Sequence, residues 1–192
     1  MTTLLLAGLL TLAPLCATCG SDVHPATIQA IIEVESGGNP LAILDNATGK
    51  SYKPKDRTQA IRIAADLLAQ GHSLDMGLMQ INSQHLMKRK IDYRQLFDPC
   101  INIRAGTKIL AEFYSIHTRN HPQDPPDLIL LKSLSSYNTG TPYRGSKYVS
   151  KILRKAKYAE NQYRMPSHRQ FGKPPAMKSM YNMAFFRKET SY

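Results

Sequence analysis

Glu35 is the residue in this chain best placed to do chemistry. It lies in the run ATIQAIIEVES, where Ile28, Ile31 and Ile32 recur at helical spacing and form one apolar stripe. At about 100° per residue, Glu35 falls inside that stripe and Glu33 points to roughly the opposite side, toward water. An apolar surround disfavours the carboxylate anion, so such an acid keeps its proton toward neutral pH and can donate it to a leaving oxygen. Gly37-Gly38 ends the helix at once, which leaves the carboxyl at a cleft edge rather than in a closed core. A glutamate at a helix end is also an ordinary surface or capping residue, so Glu35 alone settles nothing. Asp75 is a second acidic candidate, with capping of a turn near Gly77 as its plainer role. His24, His72, His85, His117, His121 and His168 show no HExxH or comparable pairing, and there is no G-x-S-x-G elbow. Scattered surface histidines are therefore expected, with no metal site and no cofactor.

The elements that must position these residues are mostly helical. His24-Pro25 opens the first helix, with Ser21 or Asp22 available to cap it. Residues 39–57 are rich in turn formers and read as a loop or irregular hairpin. Thr58 is a cap for TQAIRIAADLLAQ, in which Ile61, Ala64, Ala65 and Leu68 repeat at helical spacing before Gly71. A turn-rich or β segment near 73–82 follows, then a brief helix near Ser83. A longer helix over 101–117 has Leu110, Phe113 and Tyr114 on its core side. PDLILLKSLSSYN and SKYVSKILRKAKYAENQYR supply two more. No internal repeat or series of strands is visible, so the expected fold is mainly α, a single domain of α+β type with a small irregular or β segment beside a cleft.

Four stretches change the weight given to Glu35. VESGGNPLAI (34–43), DMGLMQINS (75–83), FDPCINIRAG (97–106) and SSYNTG (135–140) occur in an order and spacing that resemble one family: the lytic transglycosylases that accompany type IV secretion and conjugation systems, with a lysozyme-like fold. The resemblance covers about residues 19–153. It implies that Glu35 is the general acid and base, that Gln80 and Asn82 of the QIN stretch line a saccharide cleft, and that Tyr137 and Asn138 sit beside the reacting sugar. A later aromatic matches Tyr148. The implied substrate is peptidoglycan, and the implied reaction uses the sugar's own 6-hydroxyl as nucleophile. The same DMGLMQINS stretch also resembles animal-type lysozymes, in which the Asp is a second carboxylate. A hydrolase using Glu35 and Asp75 therefore stays open, as does a noncatalytic peptidoglycan-binding assembly protein. Tyr137, Tyr143 and Tyr148 could stack on sugar rings, although Tyr143 suits plain packing equally well.

Bulk composition adds a compartment. MTTLLLAGLLTLAPLCA carries no charged side chain and is too short and Pro-interrupted for a comfortable membrane span, so residues 1–17 read as a secretory leader cleaved near Ala17, with a buried N-terminal helix as the alternative. The periplasm is the expected location. Removal of the leader would leave Cys19 and Cys100, which an oxidising compartment would pair; free thiols are the alternative. The domain would then span 18–160. From Arg144 onward there are 12 Lys and Arg against only Glu160 and Glu189, so the net charge of +11 is concentrated at the C-terminal end. The basic tail, 161–192, carries no nucleic-acid reading motif and supports only nonspecific attraction to polyanions, anionic wall polymers, lipids or a secretion-machine subunit.

Overall fold

The computed structural model describes residues 12, 14–20 and 23–156. The expected tail and most of the expected leader lie outside them. Helix α1 (Pro25–Glu35) is followed by β1 (Ile43–Asp45), β2 (Lys50–Tyr52) and α2 (Arg57–Ala69). Next come β3 (Leu74–Met76), β4 (Ile81–Asn82), a 3-10 turn at Ser83–His85 and the one-turn α3 (Leu86–Arg89). A second 3-10 turn (Tyr93–Phe97) leads into the long α4 (Pro99–Asn120), then α5 (Pro126–Thr139) and α6 (Ser146–Lys155). The domain is mainly α with one small sheet.

The caps depart from the sequence expectation. His24 caps α1, its Nδ1 accepting from Ala26 N, while Pro25 occupies the first turn; Ser21 and Asp22, the expected caps, lie outside the described residues. Asp56 rather than Thr58 caps α2, accepting from Gln59 N at 2.7 Å. An extended Asp carboxylate one residue outside the helix reaches an unpaired amide better than a Thr already inside it. Asp98 does the same for α4 at Ile101 N. Residues 39–57 resolve into the hairpin β1–β2, whose turn is closed by Asp45 accepting from Ala47 N and Thr48 Oγ1.

All four strands are antiparallel, in the order β2-β1-β3-β4. Alternation decides which side chains face the core. Leu74 and Met76 are buried, so Asp75 between them points to the other face, directly opposite Asn82 of β4. The two-residue side-chain period is thus what brings an acid and an amide to one surface.

The turn joining β3 to β4 is held from four sides. Buried Asn102 of α4 donates through Nδ2 to Met76 O (2.9 Å) and Leu96 O (2.8 Å), and its Oδ1 accepts from Met79 N (2.8 Å). Ser36 Oγ, just past α1, donates to Leu78 O, and Tyr137 OH of α5 donates to Met79 O. Gly77 N donates to Ala42 O. Gly77 has φ +78°, and a Cβ there would lie 2.1 Å from Asn102 Nδ2 and 2.4 Å from Leu96 O. Only glycine fits. Around this turn α4 and α5 pack extensively, and α1 packs on α6. α5 is buried almost all round, from Leu128 to Ser136, as expected of a central helix.

Cys19 and Cys100 form a disulfide across 81 residues of sequence, tying the segment before α1 to the first turn of α4. A loop of that size corresponds to about 4 kcal/mol in the chain-entropy account. Among the described residues no helix is long and apolar enough to cross a membrane.

Gly77→Ala combines left-handed backbone strain with a backbone clash, and Asn102→Leu strands three buried backbone groups. Each should lower the unfolding free energy by about 3 kcal/mol or more in urea titrations. A loss below about 1 kcal/mol from both would show that the turn is held by something else.

Candidate active site

Glu35 sits at the last residue of α1, where Ser36 closes the helix by donating its amide to Ile32 O, and Gly37 and Gly38 turn away at φ +62° and +84°. The carboxyl opens onto a cleft of about 430 Å³. The side chain is only partly exposed. Burial pushes its pKa up to about 7, Tyr148 opposes that rise, the negative charge of Asp75 reinforces it, and Lys151 opposes it. At neutral pH the group is poised between acid and carboxylate, so it can either donate or accept a proton.

Of the residues singled out from sequence, Asp75, Gln80, Asn82, Tyr137 and Asn138 line the same cleft as Glu35. Tyr148 is placed differently. It lies behind Glu35 on α6, 7% exposed, and its hydroxyl favours the Glu35 carboxylate while making no hydrogen bond of ordinary geometry. Tyr143 stays outside the cleft, with the Lys132 ammonium 5.6 Å from its ring centre. Glu33 is not simply solvated, for it pairs with Lys155 of α6 and so helps seat α1 against that helix.

Gln80 has a double role. Its φ of +48° is unusual for a residue with a side chain. Its Nε2 donates to Gly77 O (2.9 Å) and Ala42 O (3.2 Å), so the amide nitrogen is used within the protein to close the turn. Its amide oxygen is the atom left to face a ligand.

Asp75 is fixed by Asn82, whose Nδ2 donates to Asp75 Oδ1 at 2.7 Å, while Asn82 Oδ1 accepts from Ser73 Oγ and Gln84 N. Burial raises the Asp75 pKa from its ordinary value; the hydrogen bonds from Asn82 and Asn46 and the charge of His85 act the other way.

Sequence reasoning missed Asn46, Gln84, His85, Ile109 and Phe113 of the cleft wall. His85 was grouped with the scattered surface histidines, yet it lines the cleft beside Asp75, and burial together with Arg89 lowers its pKa. It stands two residues past the QINS stretch, a proximity that could have flagged it. Phe113 was read as a core residue; it packs on the core and also lines the cleft. Nothing in helical periodicity separates those two situations. Among the described residues no cluster of three His, Cys, Asp or Glu side chains could hold a metal ion.

A cleft with one glutamate of raised pKa and a wall of amides and aromatics fits an acid-catalysed cleavage of a polar polymer. The family model for the transglycosylase SLT domain matches residues 15–160. The chain belongs to this family. Its SLT domain is 35% identical to "Protein virB1" of Agrobacterium fabrum over 136 residues, 70% of this chain and 54% of that protein. It is 40% identical to the "Type IV secretion system protein virB1" of Brucella abortus over 96 residues, 50% of this chain and 40% of the relative. A "Peptidoglycan-binding-like protein" of Escherichia coli O157:H7 is 37% identical over 99 residues, 48% of each chain. The chain spans about half the length of the curated relatives it matches. No solved structure matches it.

The raised pKa of Glu35 has a cost in stability. Folding raises the pKa from 4.5 to about 7, so the folded SLT domain binds more protons than the unfolded chain between those values. Stability from this group is complete below about pH 4.5 and is lost as pH rises through about 7, a swing of at most about 3 kcal/mol. Glu35→Gln removes that dependence. Urea unfolding at pH 5 and pH 8 should show the variant gaining on the wild type at the higher pH; parallel curves would mean an ordinary carboxylate.

Proposed function

We propose that this chain is a peptidoglycan lytic transglycosylase that cleaves the β-1,4 bond between N-acetylmuramic acid and N-acetylglucosamine and leaves a 1,6-anhydromuramyl end. The observation that carries the reading is Glu35, an acid with a pKa near 7 at the edge of an open cleft in an SLT domain. Glu35 donates its proton to the glycosidic oxygen as the bond from C1 of the muramyl residue breaks. The muramyl N-acetyl oxygen stabilises C1 in the interval. The Glu35 carboxylate then takes the proton from the 6-hydroxyl of the same sugar, and that oxygen bonds to C1. Acid and base are the same residue, and water takes no part in the bond change.

The surrounding side chains have distinct parts in this scheme. Tyr148, buried behind Glu35, favours the carboxylate formed by the first proton transfer. Asp75 favours the acid form, so the two neighbours hold the residue near its working pKa. Gln80 and Asn138 offer polar groups to the sugars, Tyr137 an aromatic face, and Asn82 acts mainly by holding Asp75. No cofactor is required.

The named relatives support a setting. Proteins called virB1, one of them a type IV secretion system protein, suggest that this chain opens the wall locally for an envelope-spanning secretion or conjugation apparatus. That work implies export to the periplasm, to which the leader-like start and the basic tail are suited. A lysozyme-type hydrolase is the second reading, motivated by Asp75 on the same cleft surface as Glu35.

Mass spectrometry of muropeptides released from purified peptidoglycan separates these readings. Anhydromuramyl ends formed by the wild type and absent with Glu35→Gln are expected. Reducing ends would establish the hydrolase, and no products from either protein would leave a binding module. Asp75→Asn should remain active with the alkaline limb of its pH profile moved to lower pH, because loss of that negative charge lets Glu35 ionise sooner. An unmoved limb with abolished turnover would assign Asp75 a direct chemical role.

A further inference from the structure

The segment that reads as the end of a leader is packed into the domain. Residues 14–19 are helical, Thr18 Oγ1 donates to Pro14 O, and Gly20 N continues the pattern by donating to Cys16 O. Leu12, Leu15, Cys16 and Cys19 recur at spacings of three, one and three, the stripe of an amphipathic helix. Their environments follow that stripe. Cys16 and Cys19 are buried and Leu12 and Leu15 pack against the core, while Pro14 and Thr18 are exposed.

The contacts reach the elements that carry the site. A Cβ on Gly20 would lie 2.2 Å from Ile28 Cδ1 of α1 and 3.1 Å from Thr107 Cγ2 of α4, so this helix end is pressed between them. Leu12 Cδ1 approaches within 3.5 Å of where a Cβ on Gly38 would stand, in the turn just after Glu35. Cys19 is bridged to Cys100, and burial pushes the neighbouring Cys16 thiol up to about 11, which keeps it a protonated thiol. The SLT family match itself begins at residue 15.

We propose that residues 12–19 are a permanent part of the folded protein, that the peptide bond after Ala17 stays intact, and that any cleavage accompanying export falls N-terminal to Leu12. A cut after Ala17 would strip Leu12, Leu15 and Cys16 from the core and uncover the side of α1 that leads to Glu35. Lipid attachment at Cys16 is disfavoured for the same reason, since it would need that buried residue as a free N-terminus. The inference concerns the boundary of the folded unit and is independent of the glycan-cleaving reading.

The test is a thiol count and an intact mass on the full chain recovered after secretion. Alkylation under denaturing, non-reducing conditions should label one thiol per chain, that of Cys16, and the mass should include residue 12. No labelled thiol together with a mass starting at Thr18 would overturn the proposal. Two chains made without export, beginning at Leu12 and at Thr18 and both oxidised at Cys19–Cys100, provide an independent measure. The Leu12 chain should melt as the longest chain does, and the Thr18 chain about 10 °C lower or not cooperatively. Equal melting temperatures would also overturn it. These stability data decide the matter even for a chain that is not exported.

Discussion

Everything at the cleft depends on the turn from Gly77 to Gln80 and on the buried Asn102 that holds it. One carboxamide satisfies three backbone groups at once, Met76 O, Leu96 O and Met79 N, none of which has access to water. The carbonyls of the next residues reach out to other helices: Leu78 O to Ser36 beyond α1, and Met79 O to Tyr137 of α5. The turn is therefore the common fastening of the helix that carries the acid, the helix that carries Tyr137 and Asn138, and the sheet that carries Asp75. Gly106 of α4 belongs to the same arrangement, for a Cβ there would stand 2.5 Å from Met79 Sδ. Buried polar networks of this kind are costly when incomplete and specify a single arrangement when complete.

The acid at the cleft is the product of opposing forces. Burial alone would hold Glu35 neutral; Tyr148 and Lys151 pull it toward the anion and Asp75 pushes back. The result near 7 keeps both protonation states accessible, and the domain accepts a stability penalty at neutral pH to have it. Rigid seating makes the balance reproducible. α1 is anchored at its C-terminal end by Ser36 and, through Glu33 and Lys155, against α6, from which Tyr148 also projects.

The segment before α1 adds a second anchor. The Cys19–Cys100 bridge and the buried Cys16 place a short helix against α1 and α4. An apolar run near an N-terminus has two physical uses, entry into a membrane during export and burial in a core. Its composition is the same in both cases, and only the helical spacing of the buried positions favours the second.

The sequence by itself determined the helices, the acid and the order of the site. Periodicity placed Glu35 on an apolar stripe, and Gly37-Gly38 ended the helix beside it, because both are local properties of a chain with 3.6 residues per turn. The four motifs located Asp75, Gln80, Asn82, Tyr137 and Asn138. Tertiary structure decided the rest, since it depends on which atoms meet across long separations. Whether Gln80 presents its nitrogen or its oxygen to the cleft depends on Ala42 and Gly77, and whether Tyr148 lines the cleft or backs the acid depends on how α6 lies on α1. His85 and Phe113 became cleft residues through packing that no local pattern encodes. Asn102 carried no signal beyond its motif, because the value of a buried amide lies in the three backbone groups that the fold brings to it.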